Sequence, residues 1–116
     1  YIGYRDDIPD LLNASDLFVL PSTLPDPFPT VILEAMASGK PVAATAHGGA
    51  LEMIDTGRTG IHIPFDDASV AAQKILDMAR SKEELAQMGQ RGRAKIKEQY
   101  SLEAFRENIL RAVREV

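Results

Sequence analysis

Leu17-Phe18-Val19-Leu20-Pro21 and Val31-Ile32-Leu33-Glu34-Ala35-Met36-Ala37-Ser38-Gly39-Lys40-Pro41-Val42-Ala43-Ala44-Thr45 carry the pattern that decides the fold. The first run is four apolar residues stopped by a proline, and it reads as a strand buried on both faces. From Val31 to Ser38 come strong helix formers, with Gly39 suited to a left-handed cap and Pro41 blocking continuation. Val42–Thr45 is then a second short apolar strand. Strand, helix and strand within thirty residues predict a parallel pair with a crossover helix.

Working outward, the alternation holds. Towards the N-terminus, Tyr1–Gly3 reads as the tail of a further strand, followed by a short helix over Asp7–Ser15 with acidic residues at its positive end. Towards the C-terminus, a Gly48-Gly49 turn leads into a short helix over Ala50–Asp55, and Thr59–Ile63 is a fourth strand ended by Pro64. Three helices complete the chain. Asp66 or Asp67 caps the first, which runs to about Arg80. Lys82 to about Gln99 is the second, weakened by Gly89 and Gly92. Ser101 caps the third, with Leu102, Phe105, Ile109, Val113 and Val116 at helical spacing. The fold class is α/β, a parallel sheet with helices on both faces ending in several helices.

Composition excludes several classes. At 116 residues, 45% hydrophobic and 26% charged, the chain is one globular domain with enough apolar content for a core. Cysteine is absent, so there are no disulfides or thiolate metal sites, and a reducing, cytoplasmic location fits. No apolar run reaches the roughly 20 residues of a membrane helix. A net charge of −4 argues against a nucleic-acid partner, and the basic residues lie on Glu-rich helices that read as solvated faces. The opening Tyr1-Ile2-Gly3, without an initiator Met, suggests an N-terminally truncated domain.

In an open parallel sheet, ligands bind beyond the carboxyl ends of the strands. That rule selects three loops: Tyr4–Asp6, Pro21–Pro29 and Ala46–Gly49. In the second, Pro25, Pro27 and Pro29 alternate with Asp26 and Phe28, which stiffens the segment and removes backbone donors. It presents Asp26 just before a helix whose first N–H groups, at Thr30, Val31 and Ile32, lack intrahelical partners and suit a phosphate. Glu34 sits about one turn on, where a carboxylate can accept paired hydrogen bonds from a diol such as a ribose. An acceptor for sugar hydroxyls, an anion cradle and a diol acceptor form a coherent set. The same residues also admit a plainer role, with Asp26 capping the helix and Glu34 solvated.

The stretch from Asp16 to Ser22, the stretch from Asp26 to Val42, Gly48-Gly49-Ala50-Leu51-Glu52 and Thr56-Gly57-Arg58-Thr59-Gly60 together resemble the C-terminal domain of group 1 glycosyltransferases of the GT-B fold. The resemblance covers essentially the whole chain. It implies a mostly anomer-retaining enzyme that takes a nucleotide-sugar as substrate, without a separate cofactor or metal. By the same resemblance, Asp26 lies near the hydroxyls of the transferred sugar and is the catalytic candidate. Glu34 lies on the ribose, the amides around Phe28, Pro29, Thr30 and Val31 on sugar and diphosphate, and Gly3, Tyr4 and Arg5 line the base pocket. Two positions depart from the family pattern: Asp26 stands where Glu is usual, and Pro29, where Gly is often found, has no N–H to give. The Arg and Lys that neutralise the diphosphate in this family, and the glycan, lipid or other acceptor site, belong to regions upstream. The chain by itself is therefore expected to be inactive, and the intact enzyme to be cytoplasmic or peripheral to a membrane.

Other residues are weaker candidates. His47 could reach an acceptor or phosphate, and Glu52 matches the family's Gly-Gly-x-x-Glu. His62, within a strand, reads as structural, Lys40 as compensation for a helix C-terminus, and Met36, Met53, Met78 and Met88 as core. Apolar residues of the last helix, Phe105, Ile109 and Val113, lack a cover and make self-association an expectation. Two other functions stay open: a GT-B sugar-nucleotide epimerase, and a non-catalytic α/β assembly module.

Overall fold

Val42–Thr45 is buried at every position, and the domain is built around it. The structure is a computed structural model and describes residues 1–115; Val116, the last position of the predicted C-terminal stripe, lies outside the described residues. The elements run α1 (Ile8–Asn13), β1 (Phe18–Leu20), α2 (Thr30–Ala37), β2 (Val42–Thr45), α3 (Ala50–Met53), β3 (Gly60–Ile63), α4 (Ala68–Met78), α5 (Lys82–Lys95), a π-helical turn (Ile96–Tyr100) and α6 (Leu102–Arg114). The three strands form one parallel sheet in the order β1-β2-β3, with Phe18 opposite Val42 and Val42 opposite Gly60.

Alternation along the central strand divides the core in two, because successive side chains point to opposite faces. Val42 and Ala44 join Leu12, Ile32, Ala35, Met36, Ala50, Met53 and Ile54 on one face. Ala43 joins Met78, Leu85 and Met88 on the other. Helices therefore cover both faces, and all four methionines are core residues as expected. The alanines of β2 let the helices approach closely, while the long, unbranched methionines fill the remaining irregular space. α5 spans the two cores: Leu85 and Met88 lie in the second, and Ile96 just beyond its end packs against the first.

Several expectations are corrected. Tyr1–Gly3 is not a strand: no strand pairs with it, Gly3 has φ +72°, and Tyr1, Ile2 and Tyr4 are exposed. A strand exists only through a hydrogen-bonded neighbour, and an apolar run cannot supply one alone. β1 is likewise half-buried instead of covered on both faces, since it forms the outer edge of the described sheet and Val19 is exposed. Gly89 is a packing residue and not merely a weak point of α5, because a Cβ there would overlap the carbonyl oxygen of Gly39. Gly92 lies over the side chain of Met36. The predicted second helix also stops being α-helical at Lys95, where a π-helical turn takes over.

Caps stand at Asp67 and Ser101 as expected, and at Ser81 as well. Asp67 accepts a hydrogen bond from the N–H of Val70 at 3.0 Å, and Ser81 and Ser101 do the same for Glu84 and Ala104. Asp67→Ala is expected to lower stability by about 1 kcal/mol, read as a shifted urea midpoint at constant slope; an unchanged midpoint would show the cap to be idle.

α6 is bound only near its start. Ala104 is its one buried residue, while Leu102, Phe105, Ile109, Leu110 and Val113 are exposed. The radius of gyration, 15.2 Å, exceeds the roughly 13 Å expected for a compact chain of this length, consistent with a projecting helix. No helix among the described residues is long and apolar enough to cross a membrane.

Candidate functional site

The Asp26 loop leaves β1 and enters α2 through Pro29, which is buried and stands at the N-cap with φ −73° and ψ 95°. Its conformation comes from three contacts. The carboxylate of Asp26 accepts a hydrogen bond from the N–H of Phe28 at 2.9 Å, closing a local turn. The carbonyl of Asp26 accepts one from the N–H of Gly49 at 2.7 Å. The ring of Phe28 lies 6.4 Å from that of Tyr100, tilted by 49°. Asp26 thus does not cap α2, which has no side-chain cap at all. One of its oxygens serves the loop, and the carboxylate is exposed.

The amide inventory is narrower than the sequence suggested. Ile32 N–H is not free, since it donates to the carbonyl of Pro29 at 3.1 Å. A tight first turn produced this bond, a common way for a helix to satisfy an early donor. Phe28 N–H serves Asp26, and Pro29 has none. Among the described residues, Thr30 and Val31 keep backbone N–H groups without an acceptor at the start of an eight-residue helix. Glu34 follows on that helix, exposed, with no side-chain hydrogen bond.

Gly48 and Gly49 have a role that the sequence left unspecified. Gly48 has φ +64°, and a Cβ on it would overlap the Asp26 carbonyl and lie 2.8 Å from the Asp26 nitrogen. A Cβ on Gly49 would overlap the Pro27 carbonyl and lie 2.8 Å from Cδ of Pro29. The loops after β1 and β2 are therefore in backbone contact, and only residues without a side chain allow it.

The remaining candidates are dispersed. Gly3, Tyr4 and Arg5 are exposed, and no hydrogen bond or ion pair among the described residues joins them to the Asp26 loop. Arg5 instead grips Asp7 through both carboxylate oxygens, with Nε to Oδ1 at 2.7 Å. That hydrogen-bonded pairing lowers the pKa of Asp7 and raises that of Arg5. His47 is half-buried, its Nε2 donating to the carbonyl of Ser22 at 2.9 Å and its ring against the edge of Phe65. Thr45 Oγ1 donates to the same carbonyl at 2.7 Å. Nδ1 of His47 is buried and has no partner. The Glu52 side chain is exposed. His62 is structural, as expected: Nε2 donates to the carbonyl of Ala50, which fixes Nδ1 as the acceptor of the Thr56 hydroxyl, both at 2.9 Å. Lys40 does not compensate its own helix but reaches the carbonyl of Asn13, the last residue of α1, at 3.4 Å.

Two residues beside the site escaped the sequence reading. Lys95 is buried and donates to the backbone carbonyl of Glu52 at 2.8 Å and to Asp55 at 3.0 Å. Tyr100, next to Phe28, has its pKa raised by burial and then by the negative charges of Glu52 and Asp55. Both follow a helical stretch whose residues look like solvated surface, and only the packing reveals them.

Residues 1–95 match the family model described as glycosyl transferases group 1. Mannosylfructose-phosphate synthase of Agrobacterium fabrum is 40% identical over 94 residues, covering 77% of this chain and 20% of that protein. N-acetyl-alpha-D-glucosaminyl L-malate synthase of Bacillus anthracis is 35% identical over 103 residues, covering 89% and 27%. The crystal structure of HepE from Anabaena in complex with UDP superposes with a TM-score of 0.88 at 30% identity, covering 99% of this chain and 32% of that one. The chain thus spans about a third or less of each relative. With the family model matched over most of its length and the fold shared with solved GT-B enzymes, the chain belongs to the group 1 glycosyltransferases.

Proposed function

We propose that this chain forms the nucleotide-sugar-binding segment of a retaining glycosyltransferase, which moves a hexose or related sugar from a nucleotide donor to an acceptor. One observation carries the reading: an exposed carboxylate on a pinned loop, two open amides at a helix start and an exposed carboxylate one turn later follow in order along Asp26–Glu34. They match the sugar hydroxyls, diphosphate and ribose of such a donor. Asp26 acts at the transferred sugar, Thr30 and Val31 N–H on phosphate oxygens, and Glu34 on the ribose. HepE, crystallised with UDP and with UDP-glucose, supports a nucleotide-sugar as ligand.

The chain constitutes the later part of the C-terminal domain, and the acceptor site lies in an N-terminal domain of the intact protein. The unpaired edge of β1 in the described sheet and the exposed apolar side chains of Val19 and Phe65 suit a further strand and helix of the same domain. A leaving diphosphate needs cationic stabilisation as its charge develops. Arg5 is already engaged by Asp7, so the cations come from elsewhere in the intact enzyme, and the chain alone does not catalyse transfer. Gly3, Tyr4 and Arg5 reach the base only if that surrounding domain reorders them.

Calorimetric titration of UDP and UDP-glucose, then other nucleotide-sugars, into the intact protein tests the reading; no binding of any donor sinks it. Product analysis separates a new glycosidic bond from an epimerised donor, and the anomeric configuration by NMR decides retention. Asp26→Asn keeps the local turn acceptor but removes the charge, and is expected to lower kcat about tenfold with a smaller change in donor affinity. Equal kcat in that variant would remove Asp26 from the chemistry.

A further inference from the structure

Lys95 is 7% exposed, at the junction of α5 and the π-helical turn. A buried ammonium is costly to desolvate and persists only with good partners. Here they are the carbonyl of Glu52 at 2.8 Å and Oδ1 of Asp55 at 3.0 Å. Glu52 belongs to α3, a helix of four residues that cannot hold itself together in isolation. The lysine satisfies an otherwise open carbonyl of that turn and places a cation towards its negative end.

The opposite end of α3 is Gly49, whose N–H donates to the carbonyl of Asp26 at 2.7 Å. A continuous path thus runs from Lys95 through α3 and Gly49 to the Asp26 loop. The π-helical turn that starts beside Lys95 ends at Tyr100, whose ring meets Phe28 in the same loop. π-turns within helices often serve to place particular side chains. One segment of the helical C-terminal part therefore reaches the loop twice, once through a charge and once through a ring. An apolar residue would fill the space at least as well, so packing alone does not account for the ammonium.

We propose that Lys95 is a positioning residue of the donor site: it holds α3, and with it the Gly48-Gly49 turn, in the place that fixes the Asp26–Pro29 loop. The inference rests on the reading of that loop as donor-binding. The test uses the intact protein with Lys95→Met, which is unbranched, one atom shorter and uncharged, and Lys95→Arg, which keeps the cation. Hydrogen exchange at the Gly49 amide is expected to accelerate about tenfold in the Met variant and to stay within about twofold of wild type in the Arg variant. Donor KM is expected to rise about tenfold in the Met variant while kcat moves less than about threefold. A residue serving only global stability would leave the KM of the folded fraction alone.

Wild-type exchange at Gly49 together with wild-type KM in a folded Met variant overturns the proposal. Should that variant not fold, Asp55→Asn weakens the same contact from a side chain that is 49% exposed. It is expected to shift both readouts about threefold in the same directions, and no shift overturns the proposal equally. If the wild-type protein binds no nucleotide-sugar, the functional reading falls, while exchange at Gly49 still decides whether Lys95 fixes the loop.

Discussion

Glu34→Ala in the intact enzyme is expected to lower kcat/KM for the nucleotide-sugar about 100-fold, or about 2.7 kcal/mol, the scale of two hydrogen bonds to a charged acceptor. Most of the loss should appear in donor KM, because a ribose contact is made in the ground state as well as the transition state. The fold should not notice. Glu34 is exposed on α2 and makes no side-chain hydrogen bond, so stability should change by less than about 0.5 kcal/mol. Glu34→Gln, which keeps an acceptor and loses the charge, should fall between. Kinetics of the alanine variant equal to wild type, with donor saturation checked, would refute the role of Glu34 and weaken the donor-site reading as a whole.

Gly48→Ala is the second large effect, and it acts on stability first. The position has φ +64°, and the new methyl would overlap the Asp26 carbonyl. Left-handed backbone and overpacking together are expected to cost about 3 kcal/mol, a large part of the roughly 5–15 kcal/mol that holds a domain of this kind together. Gly57→Ala is the matched control: its φ is +79°, but nothing lies within 4 Å of the added Cβ. Only the backbone penalty remains there, about 1 kcal/mol. Denaturant midpoints at constant slope read both variants. If Gly48→Ala is no worse than Gly57→Ala, the two loops are not in the close contact described. Where the Gly48 variant stays folded, donor binding should be weakened as well, since the methyl must push the Asp26 loop away.

The glycine turn also shows where sequence reasoning stops. Gly48-Gly49 is visible as a turn at the carboxyl end of a strand, and the family pattern contains it. That its work is to accept the backbone of a proline loop twenty residues earlier depends on a juxtaposition no local pattern encodes. Phe28 and Ile32 teach the same lesson from the other side. Each carries an amide that is free by position along the chain, and each gives it to a neighbour once the turn closes. Lys95 is the extreme case, a lysine among charged helical residues that belongs by spacing to solvent and by packing to the interior.

What the sequence determined by itself is the order of strands and α-helices from Phe18 onward, a cap at Asp66 or Asp67 and one at Ser101, the parallel sheet with helices on both faces, and the family. These follow from local rules: apolar runs bounded by proline and glycine, side chains that satisfy the first N–H groups of a helix, and a motif with fixed spacing. The tertiary structure alone decided the rest. Tyr1–Gly3 forms no strand because it has no neighbour to bond to. The Asp26 loop is held in place because Gly49 and Tyr100, distant in sequence, converge on it. Those outcomes depend on which groups meet in space, and hydrogen bonds and close packing are satisfied between partners, never within a single stretch of chain.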